Sequence, residues 1–108
     1  MRETDLEIVK KSYADKRIEI KGIAYTMCDL TNDASLEIMG LGQLCGADGS
    51  RINDANWKKL EKKLCVAFMI DNQLLSRLPN HFEINKGSYI TFISYALAMV
   101  SFPFIYEV

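Results

Sequence analysis

A mostly α-helical fold, a small bundle of about four helices with two apolar ones at its centre, is what the sequence predicts. Three observations predict it. Residues 88–106 carry no charge, and at helical spacing Ile90, Ile93, Leu97 and Val100 with Phe92, Tyr95, Met99 and Phe102 surround a stripe of small side chains, Thr91, Ser94, Ala98 and Ser101. A helix apolar nearly all round is the centre of a bundle or a membrane span. A second stretch, Val66, Ala67, Phe68, Met69 and Ile70, is likewise apolar on every side within a long helical segment and needs several neighbours to cover it. Finally, 108 residues make a single domain, residues 1–108, large enough for one core and too small for two.

Taken in order, Thr4 with Glu7 forms a capping-box pair, and Leu6, Val9 and Tyr13 recur on one face, which predicts a helix over 5–14. Arg17-Ile18-Glu19-Ile20-Lys21 alternates with period two like a strand, yet Ile20, Ile23, Ala24 and Met27 also keep helical spacing. Pattern alone leaves that segment open. Gly22 suits neither a helix nor a strand interior. The alternative fold is therefore α+β, with a short sheet from residues near 17–26 and 82–93.

Thr31-Asn32-Asp33 are capping residues, so a helix is expected over 34–45, with Leu36, Met39 and Leu44 on its apolar side and Gly46 at its end. Gly40 and Gly42 leave a shallow surface on it, suited to the small stripe of the C-terminal helix. Residues 46–50 form a turn. Asn53 or Asp54 then caps the longest helix, 55–78, stopped by Pro79. Its first turns place Trp57, Leu60 and Leu64 inward and Lys58, Lys59, Lys62 and Lys63 outward. Residues 89–93 have strand composition, but Ala96-Leu97-Ala98-Met99 favours helix. A helix over 88–101 is expected, halted by Pro103, with Phe104-Ile105-Tyr106 as an extended tail.

Charge and composition exclude some functions. The formal net charge is −1, which removes the electrostatic argument for a nucleic-acid partner. Residues 1–54 carry seven Lys/Arg against ten Asp/Glu, and residues 55–108 six against four; that asymmetry serves self-docking as well as partner binding. The lysine ridge at 58–63 lies near a helix N-terminus, where the dipole disfavours cations, and reads as a solvated face. Cys28, Cys45 and Cys65 are odd in number and widely spaced, as in a reducing cytoplasm. The N-terminal residues lack the apolar core of a signal peptide.

Chemical motifs are few. Cys28, Cys45, Cys65 and His81 have the identities of a zinc site, but structural sites bring ligands in close pairs, and no pair here lies within a dozen residues. Asp48-Gly49 fails as a calcium loop, since aligning the glycine puts Leu44 and Ala55 at ligand positions. Neither glycine-rich stretch has phosphate-loop spacing. No cofactor and no metal is expected. His81 is the only histidine, hence the group any acid–base or cysteine–histidine chemistry would need, but Asn80-His81-Phe82 matches no nucleophile motif.

What remains is apolar surface in excess of what a small domain hides. The expected function is a non-catalytic cytoplasmic protein-interaction protein: an adaptor, a dedicated chaperone, or an inhibitor or immunity-type blocker. Its partner is another protein or a second copy of the chain, and the expected contact residues are Phe102, Phe104, Ile105 and Tyr106, with Trp57. Two rival readings are a membrane-associated protein anchored through residues 88–106, whose length approaches the roughly 20 apolar residues of a span, and a small enzyme using His81.

Overall fold

The computed structural model describes residues 3–45, 54–75 and 78–105. The expected turn at 46–50, Asn53 and the tail residue Tyr106 lie outside these residues, as do the capping side chains of Thr4 and Asp54. Helix α1 (Glu3–Asp15) buries Val9 and Ser12 and ends at Lys16, whose φ of 55° is left-handed. Glycine or asparagine normally fills that position. The Lys16 N–H reaches the Tyr13 carbonyl, and its own carbonyl accepts a bond from Met27 N–H at 2.7 Å, which ties the helix end to the sheet.

Strands β1 (Arg17–Ile20) and β2 (Ile23–Met27) pair antiparallel, with Ile20 opposite Ile23. The two residues between, Lys21 and Gly22, have φ of 49° and 81°, the double positive φ of a hairpin turn whose twist matches its strands. The period-two reading of this segment is the right one: Ile18 and Ile20 are buried while Arg17 and Glu19 are exposed.

Helix α2 (Asn32–Cys45) is capped by Thr31, whose Oγ1 accepts from the Ala34 N–H at 3.2 Å. Helix α3 (Asp54–Cys65) buries Leu60 and Leu64 and ends well before residue 78. The expected second central helix is therefore wrong. The apolar run beyond Cys65 is a turn and then strand β3 (Phe68–Ile70), paired with β4 (Gln73–Leu74). Asp71 and Asn72, at φ 51° and 66°, make a second two-residue hairpin turn that folds β4 back on β3. Pro79 starts a helix instead of stopping one. It lies in the first turn of α4 (Leu78–Ile84), where a missing N–H costs nothing.

A 3₁₀ turn (Lys86–Ser88) leads into α5 (Tyr89–Ile105), so the strand considered near 82–93 is absent. Pro103 sits inside α5 near its end. Its ring has a helical φ and removes only the bond toward the Met99 carbonyl, and the burial of Phe102 holds the helix through it.

The chain is mostly helical with a small sheet, in place of the pure bundle expected. Helix–hairpin–helix occurs twice, as α1–β1–β2–α2 and α3–β3–β4–α4, and the two hairpins join side by side in the order β1-β2-β3-β4. Two pairs make the junction, Thr26 with Met69 and Met27 with Phe68. The buried sheet face meets α5 through aromatic rings: Phe92 lies 4.8 Å from Tyr25 and 5.3 Å from Phe68, centroid to centroid. Gly42 of α2 packs against α5 at Leu97, whereas Gly40 has nothing near it. The close approach thus involves Leu97 and not the small stripe, of which Thr91 is exposed.

Candidate functional site

The C-terminal end of α5 is the first place to look, because most of the expected contact residues are there. Phe102 is buried and stacks on Tyr13, ring centroids 4.9 Å apart and planes 28° apart, so it belongs to the core and leaves the contact set. Phe104 is half-buried and Ile105 is 57% exposed. Trp57 is elsewhere, half-buried on α3, and its Nε1–H donates to the Tyr89 hydroxyl at 2.7 Å. Its polar edge is therefore used within the chain.

That bond is part of a small network. Burial, followed by the Glu61 carboxylate, pushes the Tyr89 hydroxyl up to about 12, so it stays protonated and donates to Glu61. Burial also raises the Glu61 carboxyl, with Tyr89 and Lys58 opposing. The arrangement ties α3 to the start of α5.

Beside Phe104 opens a cavity of about 220 Å³. Its floor and walls come from four parts of the chain: Tyr13 and Lys16 at the end of α1, Met27 to Leu30 leaving β2, Asn32 and Ser35 in the first turns of α2, and Val100, Pro103 and Phe104 on α5. The Lys16 ammonium lies 3.8 Å from the centre of the Tyr13 ring, a cation–π contact. Cys28 is half-buried; burial, then Asp29, raises its pKa. It is held as the thiol, the poorly nucleophilic form.

Sequence reasoning missed this cavity because its polar residues lie on different elements. Only Thr31-Asn32-Asp33, as a helix start, was visible beforehand.

His81 lies at the other candidate position. Its Nε2 is 2.9 Å from the Tyr25 hydroxyl, and its ring meets Phe82 edge-on at 4.8 Å. Burial lowers the His81 pKa and raises that of Tyr25. With both groups neutral, the contact holds one proton between them, given by the Tyr25 hydroxyl or by the ring N–H according to the histidine tautomer. Among the described residues no group of three metal-binding side chains comes together, and Cys45 and Cys65 are buried in the core.

The His81 arrangement has a pH consequence. Its folded pKa lies below the unfolded value of 6.5, so between the two the unfolded chain binds more protons, and stability falls as pH drops. The expected result is a lower urea midpoint at pH 5.5 than at pH 7.5, with most of that difference removed in His81→Gln. The raised Glu61 pKa acts in the opposite sense, so the comparison between wild type and variant isolates the histidine. Equal pH dependence in both would mean that Tyr25 and His81 are not coupled to folding.

Residues Lys86–Ile105 are long and apolar enough to cross a membrane by length and composition. Seven α5 residues in that stretch are buried within the fold. No family model, curated protein or solved structure matches the chain.

Proposed function

We propose that this chain is a small non-catalytic protein-interaction protein that docks its partner at the C-terminal end of α5. The observation that supports this most directly is the placement of Ile105, 57% exposed at the end of a helix whose middle is core, next to Phe104 on the rim of an open cavity. An apolar side chain beside a concave wall suits an anchor-and-pocket contact. The docked molecule is another protein or a second copy of the chain, and the role is that of an adaptor, dedicated chaperone or blocking inhibitor.

The state of the titratable groups supports a non-catalytic role. His81 is engaged by a buried tyrosine, Tyr89 is bound by Trp57, and Cys28 is held as a thiol. Three free cysteines suit a reducing cytoplasm. Seven residues of α5 are buried in the core, which accounts for part of its apolar character and favours this reading over a membrane anchor.

The test is a photo-crosslinking amino acid placed at Ile105 and, separately, at exposed Ala14 on α1. In the cells of origin, the Ile105 position should give one discrete adduct, with another protein or with the chain itself. Ala14 should give none, and Phe104→Ser should remove the Ile105 adduct while the circular dichroism spectrum is retained. No discrete adduct at Ile105, or the same adducts from both positions, would move the interface elsewhere.

A further inference from the structure

The cavity beside Phe104 has a chemistry of its own, beyond partner docking. Two of its polar groups make no side-chain hydrogen bond or ion pair among the described residues. Ser35 is more than nine-tenths buried and lines the cavity; its hydroxyl makes no protein hydrogen bond among the described residues, and since no fully enclosed side-chain oxygen among them lacks a partner, it opens into the cavity. Lys16 has no ion pair among them either; its ammonium rests on the Tyr13 ring.

The surrounding field favours an anion at one end. Asn32 begins a helix of 14 residues, and the N-terminal end of a helix carries partial positive charge and free amides. Thr31 Oγ1 takes the amide of Ala34 and the Thr31 carbonyl takes that of Ser35, leaving those of Asn32 and Asp33 with no acceptor among the described residues. The opposite wall is apolar: Met27, Leu30, Val100, Pro103 and Phe104. Asp29 also lines the cavity, and its negative charge disfavours a doubly charged ligand such as phosphate. The volume, about 220 Å³, is below the roughly 300–1,000 Å³ of sites for drug-sized ligands.

We propose that this cavity binds a small organic monocarboxylate, its carboxylate held by the Lys16 ammonium, the Ser35 hydroxyl and the first turn of α2, and its apolar body against Met27, Val100 and Phe104. The left-handed backbone at Lys16 then has a use. A lysine is kept where glycine would be less strained because its side chain supplies the only cation among the cavity-lining residues.

Cys28 is a built-in reporter, since it lines the cavity while Cys45 and Cys65 are buried. Isovalerate is the probe. It should slow alkylation of Cys28 by iodoacetamide in a saturable way, and the neutral isostere isovaleramide and inorganic phosphate should not. Lys16→Gly relieves backbone strain, so the fold is retained, but isovalerate affinity should drop about ten- to a hundredfold, the worth of a charge-assisted hydrogen bond. Ser35→Ala should weaken it about two- to tenfold.

A peptide ending in leucine, added as a second probe, distinguishes a free acid from a chain terminus: stronger protection by the peptide than by isovalerate assigns the same carboxylate site to a terminus. Ile105→Ser, which disrupts partner docking, should leave isovalerate protection unchanged, so the two readings fail separately. The proposal is overturned if no carboxylate protects Cys28, if isovaleramide or phosphate protects as well as isovalerate, or if Lys16→Gly and Ser35→Ala bind isovalerate like wild type.

Discussion

Phe92→Ala is expected to cost about 3–5 kcal/mol, the range for removing a fully enclosed phenyl ring. Phe92 has no exposed surface and touches three other aromatic rings, Tyr25, Phe68 and Phe82, at centroid distances of 4.8, 5.3 and 5.4 Å. These come from β2, β3 and α4, so one ring on α5 holds both hairpins and the short helix. Such a loss is a large share of the roughly 5–15 kcal/mol that stabilises a domain. Urea unfolding should show a lower midpoint at unchanged slope. Ile90→Ala, on the exposed side of the same helix, should stay within about 0.5 kcal/mol of wild type. A small effect at Phe92 would mean that neighbouring rings collapse into the space.

Gly42→Val should destabilise by about 1–3 kcal/mol through overpacking. A Cβ at Gly42 would lie 2.8 Å from Leu97 Cδ2 and 3.2 Å from Cδ1, and Leu97 is itself buried, with little room to move aside. Gly40, two residues earlier on the same helix, predicts the opposite sign. No atom lies within 4 Å of its missing Cβ, so Gly40→Ala should gain roughly 0.5–1 kcal/mol from the restricted unfolded chain and better helix propensity. Thermal or urea unfolding of the pair reads both. Equal signs would show that α2 presents a different face to α5.

The elements that read well in the sequence are those with one consistent signal. Helix α1 followed from Leu6, Val9 and Tyr13 and α2 from its capping residues, close to their observed limits, while α5 followed from its uncharged length but runs on to Ile105, where an extended tail was expected after residue 101. The failure lay at residues 66–74, where a short apolar run is compatible with a buried helix or a buried strand. Asp71-Asn72 is the deciding signal, because both side chains tolerate the positive φ that a two-residue hairpin needs, but a polar pair also suits the exposed side of a continuous helix. Pro79 and Pro103 were read as stops. Proline is tolerated in a first turn, and near a helix end the packing of Phe102 outweighs one lost hydrogen bond.

The site was less legible than the fold. Phe104 and Ile105 were picked for apolar excess, and the structure leaves both at least partly accessible. Phe102, one turn position away, was not separable from them because facing is set by tertiary packing against Tyr13. The cavity's polar groups, Lys16, Cys28 and Ser35, are brought together only by folding. A lysine in a left-handed position has no signature in sequence, since nothing local distinguishes it from the last residue of a helix.

The placement of α5 also has a consequence in time. Every described element that packs on this helix precedes it in the chain, so each leaves the ribosome before its covering surface exists. Tyr25 and Phe92 are 67 residues apart, and translation at roughly 5–20 residues per second separates their emergence by several seconds. During that interval both hairpins can close, because their turns are local, but their apolar faces remain open to water and to one another on neighbouring nascent chains. The step that completes the core is the arrival of one helix, and this protein's exposure to misassembly is greatest just before it.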